Sequence, residues 1–174
     1  MPFKALMSWL GMEESAAPEH TQLRDLIDSL DRLEPDRARH LARFAYLLGR
    51  VALADRHASN EEVRAMEQLV RDKAQLSSEQ ATMVVGLAKT SNLLFGGTAD
   101  YDVARDFAEG SSYDEKLALA ACLFTVASSD HAISLAEETE IHRIVNQLKI
   151  LPQDLTKLRV QHGRFLPGRA PGAS

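Results

Sequence analysis

The stretch Val51-Ala52-Leu53-Ala54-Asp55, followed by Ser59 and Glu62, returns as Val126-Ala127-Ser128-Ser129-Asp130 with Ser134 and Glu137. Val51 and Val126, Asp55 and Asp130, Ser59 and Ser134, and Glu62 and Glu137 all lie 75 positions apart. A spacing shared by apolar, acidic and hydroxyl positions marks a repeated structural unit. The unit reads as helix, bend, helix.

The pattern around it is helical. After Pro35, a residue suited to a first helical turn, Leu41, Phe44, Ala45, Leu48, Val51 and Ala52 draw one apolar stripe on a helix ending near Asp55. Ser59-x-x-Glu62 is a capping box, in which the hydroxyl accepts from the backbone N–H three residues on and the carboxylate reaches back. The helix it opens should bury Val63, Met66, Leu69 and Val70. The second copy repeats the plan: a capping box at Ser112-x-x-Glu115, a stripe through Leu117, Ala120, Phe124 and Ala127, and the bend at Asp130. A helix capped by Ser134-x-x-Glu137 then buries Ile141, Ile144, Val145 and Leu148. The same offset matches Leu76 and Met83 with Leu151 and Leu158, where Ser77-x-x-Gln80 and Pro152 open further helices. Ser91 to Thr98, with Gly96-Gly97, reads as a loop and Thr98 to Glu109 as a short helix. Strand alternation never exceeds a few residues, so the fold class is all-α.

With 174 residues the chain suits one domain, large enough to bury roughly 70% of its unfolded surface. Residues 1–20 form an N-terminal segment, a short helix or mobile, whose Trp9 and Leu10 dock on the body or meet a partner. Residues 21–162 are the helical domain, with repeat halves at about 33–88 and 111–163. Residues 163–174, holding Pro167, Gly168, Pro171 and Gly172, read as a flexible tail. The net charge of −5 excludes a general affinity for nucleic acid. The lone Cys122 excludes an internal disulfide and a cysteine zinc cluster. No apolar run nears the ~20 residues of a membrane span, and Met1 to Met12, with Lys4 as its one positive charge, is no secretory signal. These features point to a cytoplasmic protein.

The phrase V-A-x-A-D-x-x-x-S-x-x-E, in two copies, resembles the tellurite-resistance TerB-like family, whose wording is close to V-A-x-A-D-G, then a hydroxyl or acidic residue, then glutamate. The resemblance covers roughly Leu33 to Val160. It implies a single compact domain of about seven helices, built from two pseudo-twofold related halves. It also implies a bacterial protein linked to tellurium-oxyanion resistance and related stress responses, acting by binding or scaffolding and not as an enzyme. Two departures stand out: the family glycine after the aspartate is Arg56 in one copy and His131 in the other, and Ser129 occupies an alanine position. If the bend needs positive φ after the aspartate, both copies are strained there.

The chemistry lies in the repeated acids. Each bend sets an aspartate at the end of one helix, where the dipole disfavours negative charge by a few tenths to about 1 kcal/mol. One compensation is local, Asp55 and Asp130 binding N–H groups ahead of the next helix while Ser59 and Ser134 cap it. The other is a cation: Asp55, Glu62, Asp130 and Glu137 together offering four carboxylates to a hard divalent ion such as Ca²⁺, Mg²⁺ or Mn²⁺. The second acid that an EF-hand places inside its loop is missing from Asp55-Arg56-His57-Ala58-Ser59. His57 and His131 sit in the bends at non-equivalent positions and read as exposed, as does His142, although the first two would suit Zn²⁺ or Ni²⁺. Cys122 corresponds to Leu47 and reads as a small buried hydrophobe. Gly96-Gly97 follows no strand and precedes no lysine, which argues against a phosphate loop. Arg32, Arg37, Arg39, Arg43 and Arg50 make the first long helix basic: a solvated, salt-bridged face, or a dock for an acidic partner or anionic lipid.

No residue is nominated as catalytic. The expected function is a non-enzymatic helical binding or scaffold module with protein partners, in tellurite resistance or a related stress response, as a monomer or weak dimer. The alternative is a divalent-cation sensor or carrier, and no other cofactor is expected.

Overall fold

The computed structural model describes residue 28 and residues 30–168. The expectations for residues 1–20 and for the last stretch, 169–174, lie outside the described residues. Among the described residues seven complete α-helices follow in order: α1 (Pro35–Ala52), α2 (Asn60–Ala74), α3 (Ser78–Phe95), α4 (Asp100–Glu109), α5 (Tyr113–Ala127), α6 (Leu135–Gln147) and α7 (Pro152–Gln161). A 3-10 turn, Gly163–Phe165, comes after them. The chain is all-α among the described residues.

α1 is the axis of the domain. The Glu34 carboxylate accepts from the N–H groups of Asp36 and Arg37, Pro35 sets the first turn, and the helix packs against α2, α3, α4, α5 and α6. Five neighbours leave it no solvent face over its second half: every residue from Phe44 to Ala52 is buried. The single stripe expected from the sequence therefore wraps the full circumference, taking in Tyr46, Leu47, Gly49 and Arg50. Each large apolar side chain buried here contributes about 1.5–3 kcal/mol. Gly49 is needed for close approach, because a Cβ there would meet Asn92 Nδ2 at 2.6 Å. That Nδ2 donates to the Tyr46 and Ala88 carbonyls, tying α3 to α1.

The second helix of each hairpin ends alike. Gln75 (φ 54°) and Lys149 (φ 58°) are left-handed, and the next N–H closes the end, Leu76 onto Arg71 O and Ile150 onto Val145 O. The buried pair here is Leu76 with Ile150, while Leu151 is half exposed. The expected match of Leu76 and Met83 with Leu151 and Leu158 is thus off by one. The second copy is one residue shorter before its cap, so α3 and α7 begin 74 positions apart, at Ser78 and Pro152. Two other expectations change. Ser91 to Phe95 are the last turn of α3 and not loop. Gly163 to Leu166 are not tail: Gly163 is buried, Phe165 and Leu166 pack on the core, and the Ile133 N–H donates to Phe165 O at 2.7 Å.

Candidate functional site

The two bends are the same structure made from different side chains. In the first, the N–H groups of Leu53, Ala54 and Arg56 donate to the carbonyls of Gly49, Val51 and Leu53. In the second, Ser128, Ser129 and His131 donate to Phe124, Val126 and Ser128, position for position. The residue after the aspartate is left-handed in both, Arg56 at φ 69° and His131 at φ 70°. The family-type glycine position therefore does need positive φ, and here an arginine and a histidine adopt it. Asp55 and Asp130 stabilise that conformation by accepting, through Oδ1, from the N–H two residues on: His57 at 3.0 Å and Ala132 at 3.1 Å. Both carboxylates are spent on the bend itself.

Both capping boxes are complete. Ser59 Oγ accepts from the Glu62 N–H at 3.1 Å and Glu62 Oε2 from the Ser59 N–H at 2.6 Å. Ser134 and Glu137 make the same bonds at 3.1 and 2.9 Å. What the sequence pattern did not disclose is where these glutamates go: Glu62 is 1% exposed and Glu137 3%. They meet across the two hairpins, sharing a hydrogen bond when one is protonated. Burial is the main cause that raises both carboxyls above the ordinary range, against the Ser59 and Ser134 N–H groups that oppose it. Glu137 is pushed up to about 8, with Glu62 and then Asp55 adding to the rise, while Asp130 raises Glu62. The influence is crosswise, each hairpin's aspartate acting on the other's glutamate. Glu62 Oε1 is buried with no N–H or hydroxyl donor. The hydrogen bond between the two carboxyls needs a proton, and burial favours keeping one on the pair.

Among the described residues no three His, Cys, Asp or Glu side chains gather as a metal site. Asp55, Glu62, Asp130 and Glu137 thus share one electrostatic neighbourhood without converging as four ligands on one point. Their oxygens have the hardness that Ca²⁺, Mg²⁺ or Mn²⁺ prefers, but the two aspartates are exposed and turned to their own bends. His57 and His131 are exposed, His131 with its ring 6.1 Å from that of Phe165. Cys122 is half-buried and its thiol is pushed up by burial, which disfavours the thiolate.

The basic first helix divides. Arg32, Arg37 and Arg39 are exposed and Arg43 is half-buried, but Arg50 is 6% exposed and belongs to no solvated face. Its Nε donates to Glu140 Oε1 at 2.8 Å and its guanidinium to Gln147 Oε1 at 2.8 Å and to the Asp100 carbonyl at 3.3 Å. Tyr46 donates to Asp100 Oδ1 at 2.7 Å in the same network, and its hydroxyl is held protonated by burial and by that bond. α1, α4 and α6 are locked together by buried charge next to the first bend. The clue was positional: Arg50 directly precedes the doubled phrase, on a helix whose other residues there are apolar.

The family model described as tellurite resistance protein TerB matches residues 43–160, about two thirds of the chain, and spans both bends and the acid pair. No curated protein and no solved structure matches it.

Proposed function

Because the chain belongs to the tellurite resistance protein TerB family, we propose that it works as a non-enzymatic binding module in a tellurite-linked stress response, with the two bend tips as its contact surface. The observation that carries this reading is the pair of long polar side chains, Arg56 and His131, held exposed at left-handed positions. Such strain costs about 1–2 kcal/mol per residue and collects at functional loops. Exchanging both residues for glycine relieves the strain and removes the contact groups together. In affinity capture from stressed source cells, the wild type should recover a reproducible partner that Arg56→Gly/His131→Gly loses while melting higher. No partner with or without stress, or one held equally by both proteins, would overturn the reading.

A second reading, cation binding at the bends, is favoured by the donorless Glu62 Oε1. In it Glu62 and Glu137 hold the ion and Asp55 and Asp130 turn in from the rim, the ion replacing the shared proton. An ion that binds only the folded state stabilises it by ~2.7 kcal/mol at a hundred times its dissociation constant. Melting curves at pH 8 should then rise with Ca²⁺, Mg²⁺ or Mn²⁺ and lose the rise in Asp55→Asn/Asp130→Asn. Curves that stay flat across all three ions would sink it.

A further inference from the structure

Away from the bends, the amino-terminal half of α1, the end of α2, the close of α4 and the start of α5 line an open cleft of about 550 Å³. That volume lies within the range of small-molecule sites. Four cations line it, Arg37, Arg39 and Arg43 from α1 and Lys73 from α2, against two carboxylates, Asp36 and Glu115. The lining carries a surplus of positive charge in a chain whose net charge is −5.

Both carboxylates act within the lining, Asp36 on Arg39 and Glu115 on Lys73 and His40. Asp36 pairs with Arg39 at 2.7 Å, and Glu115 Oε2 accepts from the Ser112 N–H at 2.7 Å as the cap of α5. Arg43 is held from behind by Asp106 at 3.7 Å, and Lys73 Nζ sits 4.8 Å over the Phe44 ring. Among the described residues neither Arg37 nor Lys73 makes a direct ion pair with a carboxylate, and Lys73 and Glu115 attract one another only at longer range. His40 also lines the cleft, its ring stacked on Phe107 at 4.6 Å, and burial lowers its pKa so that the surplus charge belongs to the arginines and the lysine. Leu33, Leu41 and Ala74 add an apolar flank. Cations positioned by ring contacts and ion pairs, with an apolar side wall, suit a ligand that joins several negative charges to an organic body.

We propose that this cleft binds a soluble phosphorylated small molecule, no larger than a nucleotide, with Arg37 and Lys73 as its principal phosphate contacts. The site is separate from the bends, so it stands or falls independently of the contact reading above. Titration calorimetry of the full chain at low ionic strength, with pyrophosphate and with ATP as probes, tests it. One-to-one binding is expected, weakening as salt is added. Arg37→Gln/Lys73→Gln should lose about tenfold or more in affinity, the scale of one charged hydrogen bond. Arg64→Gln, an exposed arginine of α2 that does not line the cleft, should leave affinity unchanged. Melting temperatures of all variants establish that they are folded. The proposal is overturned by no saturable binding of either probe at millimolar concentration, by equal loss in Arg64→Gln, or by binding confined to phosphatidylglycerol vesicles.

Discussion

The capping boxes at Ser112–Glu115 and Ser134–Glu137 make the same two hydrogen bonds at nearly the same distances, yet their glutamates titrate in opposite directions. At the start of α5 the box is exposed, and the Ser112 N–H holds Glu115 below the ordinary carboxylate range. At the start of α6 the box is folded under the partner hairpin, and desolvation lifts Glu137 to about 8 despite an equivalent N–H. Helix capping needs only the motif, as the exposed boxes of α3 and α5 demonstrate. Burial of the box adds a proton-holding acid pair that capping does not require. The same Ser-x-x-Glu motif is a cap in one place and a titrating site in the other.

The largest test of that contrast is pH. Glu137 is raised from 4.5 to about 8, so the folded chain keeps a proton that the unfolded chain releases in between. Its contribution is therefore complete below pH 4.5 and is lost as pH rises through 8, at a slope of about 1.4 kcal/mol per pH unit in between. Urea titrations between pH 5 and pH 9 should reveal the fall. Glu137→Gln, whose amide replaces the shared proton with a fixed donor, should flatten it, whereas a wild-type profile level over this range would dissolve the distinction. Glu115, lowered in the fold, has the opposite sign: its contribution is held at neutral pH and lost in acid. Glu115→Gln should leave the slope between pH 7 and pH 9 unaltered.

Smaller effects sharpen the comparison. Ser134→Ala removes a hydroxyl acceptor from a partly buried N–H and should cost about 2 kcal/mol, against about 1 for Ser112→Ala in solvent, both read as shifts in denaturation midpoint. Equal losses would mean that the surroundings of the box are immaterial to its strength. Smallest and of opposite sign, Arg56→Gly or His131→Gly should each stabilise by about 0.5–1 kcal/mol, relief of left-handed strain outweighing glycine's greater unfolded freedom. A loss on either substitution would show that the arginine or histidine side chain contributes more than its backbone costs.

Much of this was legible in residue order. Periodicity, Pro35 and the Ser-x-x-Glu boxes are local signals, and each became a helix start where it stood. The Asp55 and Asp130 turns are also local, closed by the N–H two residues on. The one-residue slip within α6 escaped, because apolar residues at both Ile150 and Leu151 allow either alignment until the left-handed Lys149 fixes which is buried. Arg50 escaped for a different reason. A charged residue in an apolar stripe reads as solvent-facing, and its acceptors Glu140 and Gln147 lie some ninety residues further along the chain.

Residue order by itself determined the helices, their caps and the doubled bend, since each depends on groups within a turn or two of one another. Tertiary structure decided which of four like caps would be buried, brought Glu62 against Glu137, and placed Arg50 among its acceptors. The physical reason is that hydrogen bonds of a cap close within four residues, whereas desolvation and charge pairing depend on whatever the rest of the chain packs beside them.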